Sequence, residues 1–271
     1  MGAFEPRRAA PGAALRWLRE AGELLLRRPL AWTGTGLAIG LVPALVGDAV
    51  ASGAISRVPG TLLVVLCADA WFALACGLGL HVAILADEGE GVGALPARLG
   101  AAWRALATPV WLSFLVWGLV YAVLVAVGAS ASPAILERLA GAETAPGQRA
   151  ATLLGALNLG LAPVGGWFLT ALLACAHAPL AEALELSQRA ARLNARALWP
   201  LALGAAVLWT GFAWWAIGAF APFGLGLALG LALVPLSALL WVSYREVFLG
   251  RGKNAPARSP ARVAAGAVGR V

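Results

Sequence analysis

The sequence predicts an all-α, polytopic membrane bundle of six transmembrane helices, and three observations carry that prediction. From Trp199 to Val242 there are 44 consecutive residues without Asp, Glu, Lys or Arg, interrupted only by a Pro/Gly corner at Phe220-Ala221-Pro222-Phe223-Gly224. At about 1.5 Å rise per residue that run is about twice what a ~30 Å hydrocarbon core requires, so it reads as two antiparallel spans joined by a tight hairpin. The chain is 61% hydrophobic and 12% charged with a mean hydropathy of +0.83, whereas a soluble domain carries about 25% charged residues. Finally, the basic residues gather at the edges of alternate apolar runs, the pattern that orients a membrane protein.

The first span is predicted over Leu30 to Gly47, after two Arg-Arg pairs, and is too long and too late to be a cleaved leader, so it stays as an anchor. The others follow at Thr61 to Ala86, Pro109 to Gly128, Thr152 to Ala176, Trp199 to Phe220 and Phe223 to Val247. No other stretch is long enough for a soluble domain, which leaves one membrane domain over 1–249 and a disordered cytoplasmic tail over 250–271.

Six spans return the chain to the side it started from. Of the 20 Lys and Arg, 17 fall on the side of the tails, and only Arg57, Arg138 and Arg149 fall on the other. The excess places both termini in the cytoplasm of an inner (cell) membrane. Because the basic residues are spread along span edges, the net charge of +7 speaks for membrane orientation rather than nucleic acid.

Trp32, Trp103, Trp111, Trp199 and Trp241 lie near predicted span ends, where an indole keeps its ring in the interface and its N–H near water. Trp71, Trp209, Trp214 and Trp215 lie deeper and read as packing residues. The cysteines, Cys67, Cys76 and Cys175, sit inside apolar runs without Cys-x-x-Cys spacing, as small packing residues rather than disulfides or zinc ligands.

Three segments resemble one another: Leu15 to Pro29, Leu95 to Leu106 and Leu186 to Leu198. Each leads straight into the first span of a pair. In the first, Leu15, Leu18, Gly22 and Leu25 or Leu26 form one helical stripe, away from Arg16, Arg19, Glu20, Glu23 and Arg27. In the third, Leu186, Ala190, Leu193 and Ala197 oppose Arg189, Arg192 and Arg196. Such helices lie in the headgroup plane, leucines toward acyl chains and arginines toward anionic lipid headgroups. The unit is thus an interfacial helix plus a hairpin, repeated over about 15–94, 95–181 and 182–249. With the Arg27-Arg28-Pro29 start of the first span and the closing Tyr244-Arg245-Glu246-Val247-Phe248, this pattern resembles a family of bacterial six-span membrane proteins similar to the membrane domain attached to some glycerophosphodiester phosphodiesterases. Over about residues 15 to 249, the resemblance implies a fold and a location rather than an activity.

An ionisable residue at bilayer depth is costly and marks a candidate site. Asp69, flanked by Cys67, Ala68, Ala70 and Trp71, is the clearest, with Asn158 a partner by depth alongside Ser113 and Thr170. Its plainest role is an interhelical hydrogen bond; a coupling carboxylate is the sharper alternative. At the cytoplasmic mouth, His81 and His177 end corresponding spans. Asp87 and Glu88 follow the first, and Glu182 and Glu185 the second. Convergence of these groups would make a divalent-ion site, but their spacing fits no ligand motif and a solvated helix end is the plainer reading.

Gly34, Gly36 and Gly40, with Gly224, Gly226 and Gly230, supply small-residue spacing for close helix approach rather than a phosphate cradle. Pro43, Pro163 and Pro235 are the candidate breaks that a carrier's discontinuous helices would need. No nucleophile elbow, dinucleotide fingerprint or P-loop is present, and no cofactor is implied. The sequence therefore points to a transport-related or membrane-organising protein, with a membrane enzyme built on the His/carboxylate groups as the alternative.

Overall fold

The computed structural model describes residues 5–54, 75–89, 93, 100, 104, 166–220 and 222–250. Among them all regular structure is helical: α1 (Ala13–Arg27), α2 (Pro29–Ala51), α3 (described over 75–88), α4 (Leu169–Ala176), α5 (Leu180–Leu193), α6 (Ala195–Ala219) and α7 (Pro222–Leu249). Three are long and apolar enough to cross a membrane: α2 over Pro29–Ala49, α6 over Ala195–Phe212 and α7 over Phe223–Leu249. They coincide with the first, fifth and sixth predicted spans. The second and fourth are described only in their later parts, as α3 and α4, and the third, Pro109 to Gly128, lies outside the described residues.

The helix ends follow local chemistry. Pro29 opens α2 and Pro222 opens α7, the position where a missing N–H costs nothing and a fixed φ helps. Between α6 and α7 the chain turns at Phe220, which is extended at φ −120° and ψ 146°, close to the predicted corner. Gly89 at φ 72° and Gly250 at φ 65° end α3 and α7, in the left-handed region glycine enters without a Cβ penalty. Helix α4 ends instead on His177 at φ 51°; histidine is one of the few L residues found there with any frequency.

The run of helical residues is interrupted at Arg28 (φ −142°, ψ 62°) between α1 and α2, and at Asn194 (φ −112°, ψ 16°) between α5 and α6. The third lead-in therefore differs from its predicted extent. Its helix is Leu180–Leu193, and Ala197 and Leu198 already belong to α6. Of the second lead-in, only Gly100 and Arg104 are described, both helical.

Helices α2 and α7 pack antiparallel along a seam of glycine. A Cβ on Gly36 would stand 2.8 Å from Leu231 Cδ2, and one on Gly40 would stand 2.6 Å from the Gly226 carbonyl oxygen. A Cβ on Gly226 would collide with Ala44 N, and one on Gly230 with the Gly36 carbonyl oxygen and Gly40 N. Backbones this close gain dispersion contacts that larger side chains would prevent, the usual way helices adhere in an apolar solvent. Gly34 has open space and Gly224 meets only Phe220, so four of the six predicted glycines make the crossing. Gly79 of α3 is equally tight against Ser237 of α7, so α7 has helix backbone close on two sides.

Neither Pro43 nor Pro235 interrupts its helix, which removes two of the three proposed breaks; Pro163 lies outside the described residues. Neighbouring helices commonly offset the hydrogen bond a proline removes.

The main core lies around the C-terminal half of α7, against α1, α3, α4 and the α5–α6 junction, with Trp17, Phe168, Leu80, Ile84, Leu198, Tyr244 and Val247 fully buried. Cys76 is buried there and Cys175 is half-buried, in keeping with packing roles. Trp209 packs with Ile39, Ala75 and Leu233. Trp215, in contrast, is 58% exposed, and among the described residues its ring contacts are with the aromatic rings of Phe212 and Phe220 at the hairpin.

Candidate functional site

The ionisable groups of the described residues concentrate where α7 ends. There Arg245 and Glu246 adjoin on the last two turns and point to two different partners. Arg245 Nη1 donates to both oxygens of Asp87 at 2.7 and 2.8 Å, and its Nη2 donates to Glu20 Oε2 at 2.5 Å. Glu246 accepts a fork from Arg16, with Nη2 to Oε1 at 2.6 Å and Nε to Oε2 at 3.3 Å. Two indoles complete the set: Trp17 Nε1 donates to Glu246 Oε2 at 2.9 Å, and Trp241 Nε1 donates to Asp87 Oδ2 at 3.1 Å.

Three helices thus meet in one clasp. Helix α1 supplies Arg16, Trp17 and Glu20, which fall within a little over one turn and share a face. Helix α3 supplies Asp87, and α7 supplies Trp241, Arg245 and Glu246, one turn apart. The Arg245, Glu20 and Asp87 side chains are 13%, 11% and 18% exposed, so the pairs are largely removed from solvent. Charge-assisted, forked geometry is what lets such pairs offset their desolvation.

A second fastening involves no ion pair. Asn194, at the α5–α6 break, accepts from Ala9 N at 2.7 Å and donates to Arg7 O at 3.0 Å and Ala190 O at 2.9 Å. Arg7 N in turn donates to Val247 O at 2.9 Å, satisfying one of the carbonyls that a helix C-terminus leaves without an internal partner. The Arg7 guanidinium lies against Gly250, where positive charge complements the end of the α7 dipole. The N-terminal segment, with Pro6 buried, is thereby tied to the end of the last helix.

The predicted site residues fall in three groups. Asp69 and Asn158 lie outside the described residues. Asp87 belongs to the clasp; His81 is buried within α3 and Glu88 is half-buried at the end of the same helix. His177 is exposed and serves as the left-handed end of α4, and Glu182 and Glu185 are exposed on α5. No group of three or more His, Cys, Asp or Glu among the described residues is placed to hold a metal ion. The carboxylates that come together do so around guanidiniums and indoles.

Sequence reasoning did not identify Arg16, Trp17, Glu20, Trp241, Arg245, Glu246 or Asn194 as a set. Arg245 counted there as an orienting charge and as part of the closing Tyr244 to Phe248 run. Two of the expected interfacial tryptophans are in fact internal: Trp241 is 2% and Trp32 3% exposed, the latter donating to Leu24 O at 3.3 Å across the α1–α2 break. Near a span end an indole N–H needs an acceptor, and here the protein provides it before water does. Trp199 does stay at the surface, 39% exposed.

The stripe predicted on α1 is also only part of that helix's pattern. Leu15, Leu18 and Leu26 are 76%, 49% and 81% exposed, while Ala13, Trp17, Ala21 and Leu24 face the protein. Helix α1 therefore has three sectors: one toward the bundle, one charged, and one of leucines left outward.

The helices define a protein of membrane type, all-helical in its described parts. The chain matches no family model, no curated protein and no solved structure.

Proposed function

We propose that this is a multi-pass inner-membrane protein of six spans, with both termini cytoplasmic, that organises membrane or partner components and carries no catalytic centre. The observation that carries this reading is the clasp. Its three carboxylates already accept from two guanidiniums and two indoles, an arrangement suited to holding α1 and α3 on α7 and poorly suited to binding a substrate or metal. Continuity of α2 and α7 through their prolines favours an organising role over a carrier. The division of basic residues supports the cytoplasmic placement of the tails.

The threefold unit and the likeness to the phosphodiesterase-associated membrane domain belong to the same proposal. Both described lead-ins, α1 and α5, end at a non-helical residue directly before a long apolar helix. The residues carrying the likeness, Arg27 to Pro29 and Tyr244 to Phe248, lie at the first break and in the clasp region.

Reporter fusions after Arg149 and after Val271 should report opposite sides of the membrane; the same side from both would refute the topology. Titration of purified protein with Mg²⁺, Mn²⁺ or Zn²⁺ should show no stoichiometric site. A site abolished by Asp87→Asn would shift the reading to a metal-dependent enzyme.

A further inference from the structure

The clasp decides which arginines remain available. Arg16 and Arg245 are committed to Glu246, Asp87 and Glu20, Arg19 pairs with Glu23 at 3.3 Å, and Arg7 rests against the end of α7. At the α5–α6 junction the situation is reversed. Asn194 grips the backbone on both sides of Arg8, through Arg7 O and Ala9 N. Arg192 and Arg196 stand two residues before and after the same asparagine. All three arginines are exposed and have no hydrogen-bond or ion-pair partner among the described residues. Neither Arg192 nor Arg196 has an acid three or four positions away on its helix, whereas Arg189 has Glu185 at that spacing.

Beside them are apolar groups left outward: Leu193 is 41% exposed and Trp199, in the first turns of α6, is 39% exposed. The junction lies where the candidate span Ala195–Phe212 begins, and hence, on the membrane reading above, at the level of headgroups. Exposed guanidiniums carried by the backbone around one asparagine, with an indole and a leucine at the acyl boundary, have the chemistry that holds a phosphodiester headgroup and the start of its chains.

We propose that Arg8, Arg192 and Arg196, gathered at the Asn194 junction, form a binding site for an anionic phospholipid headgroup, with Leu193 and Trp199 against its acyl chains. The site is specific in place: it needs the N-terminal segment docked on Asn194, so it exists only in the folded bundle.

The test titrates the full chain, purified in neutral detergent, with short-chain phosphatidylglycerol or phosphatidylcholine, and counts bound lipid by native mass spectrometry. Phosphatidylglycerol should bind preferentially, and the R8Q/R192Q/R196Q variant should bind it at least about tenfold more weakly, as expected when three surface cations are removed. The charge-matched R19Q/R27Q/R104Q variant should retain the preference, and millimolar inorganic phosphate should not displace the lipid. Because the substituted side chains make no hydrogen bond or ion pair among the described residues, the triple variant should elute as the wild type does; R192Q/R196Q serves as a milder second variant with a smaller loss. Equal binding of the two lipids, equal loss in both triple variants, or displacement by inorganic phosphate alone would overturn the proposal. Carbonate-resistant sedimentation with membranes tests the underlying membrane reading separately, and should be the same for every variant.

Discussion

Where α7 crosses α2, contact is made by Gly226 and Gly230 against Gly36, Gly40 and Ala44, backbone on backbone. In its last three turns the same helix meets α1 and α3 through Trp241, Arg245 and Glu246, with distances of 2.5 to 3.3 Å to charged partners. The change follows the surroundings each segment requires. Within hydrocarbon no apolar driving force brings helices together, so close fit of small residues must do it. At the boundary with water, charged side chains can be desolvated part-way and still find partners, giving directional contacts that fix which helices meet and in what register.

The largest effect should come from breaking the polar end. Arg245→Leu strands Asp87 and Glu20 with their guanidinium removed and should cost about 3–5 kcal/mol, the penalty of an uncompensated buried charge; thermal unfolding in detergent reads it as a markedly lower midpoint. At the apolar seam, Gly230→Val should cost about 1–3 kcal/mol or more, because the new side chain meets backbone atoms that cannot rotate away. Gly34→Ala, six residues from Gly40 yet facing open space, should leave the same midpoint unchanged and so shows whether the seam is as narrow as the four glycines indicate.

Trp17→Phe sharpens the clasp further. It keeps most of the ring packing but removes the donor to Glu246, and a loss of about 1.5–3 kcal/mol is expected for a hydrogen bond to a charged group. Chemical denaturation of the variant beside Trp17→Leu separates that donor from the packing of the ring. A small effect is also expected at the outward leucines: Leu26→Gln, at an 81% exposed position, should shift stability in detergent by no more than about 0.5 kcal/mol. A large loss there would mean that this sector of α1 is covered by protein.

The long elements were legible because they depend on composition alone. An uncharged run with a proline corner is enough to place α6 and α7, and the apolar run after Arg27-Arg28 is enough for α2. The seam was legible in part, since four-residue glycine spacing, Gly36 to Gly40 and Gly226 to Gly230, marks a close approach without naming its partner; Gly34 and Gly224 lie two residues outside that spacing and face elsewhere. The clasp was not legible. Arg245 and Asp87 are separated by 158 residues and Arg16 and Glu246 by 230, distances at which no periodicity connects two charges. Trp17 lies between the leucine and arginine sectors of α1, so a two-faced reading of that helix had no place for a third, protein-facing side. Asn194 looked like one more polar residue in a continuous lead-in, whereas its side chain is engaged at three points and one helix ends and the next begins there.

A double-mutant cycle on Asp87 and Arg245 tests most directly whether the charged end of α7 is a structural clasp. Asp87→Leu, Arg245→Leu and the pair together are unfolded under identical detergent conditions. Residues in direct contact should couple by roughly 1–3 kcal/mol, with the double variant more stable than the sum of the single losses requires. Additivity within about 0.5 kcal/mol, the behaviour of distant and independent sites, would contradict the clasp.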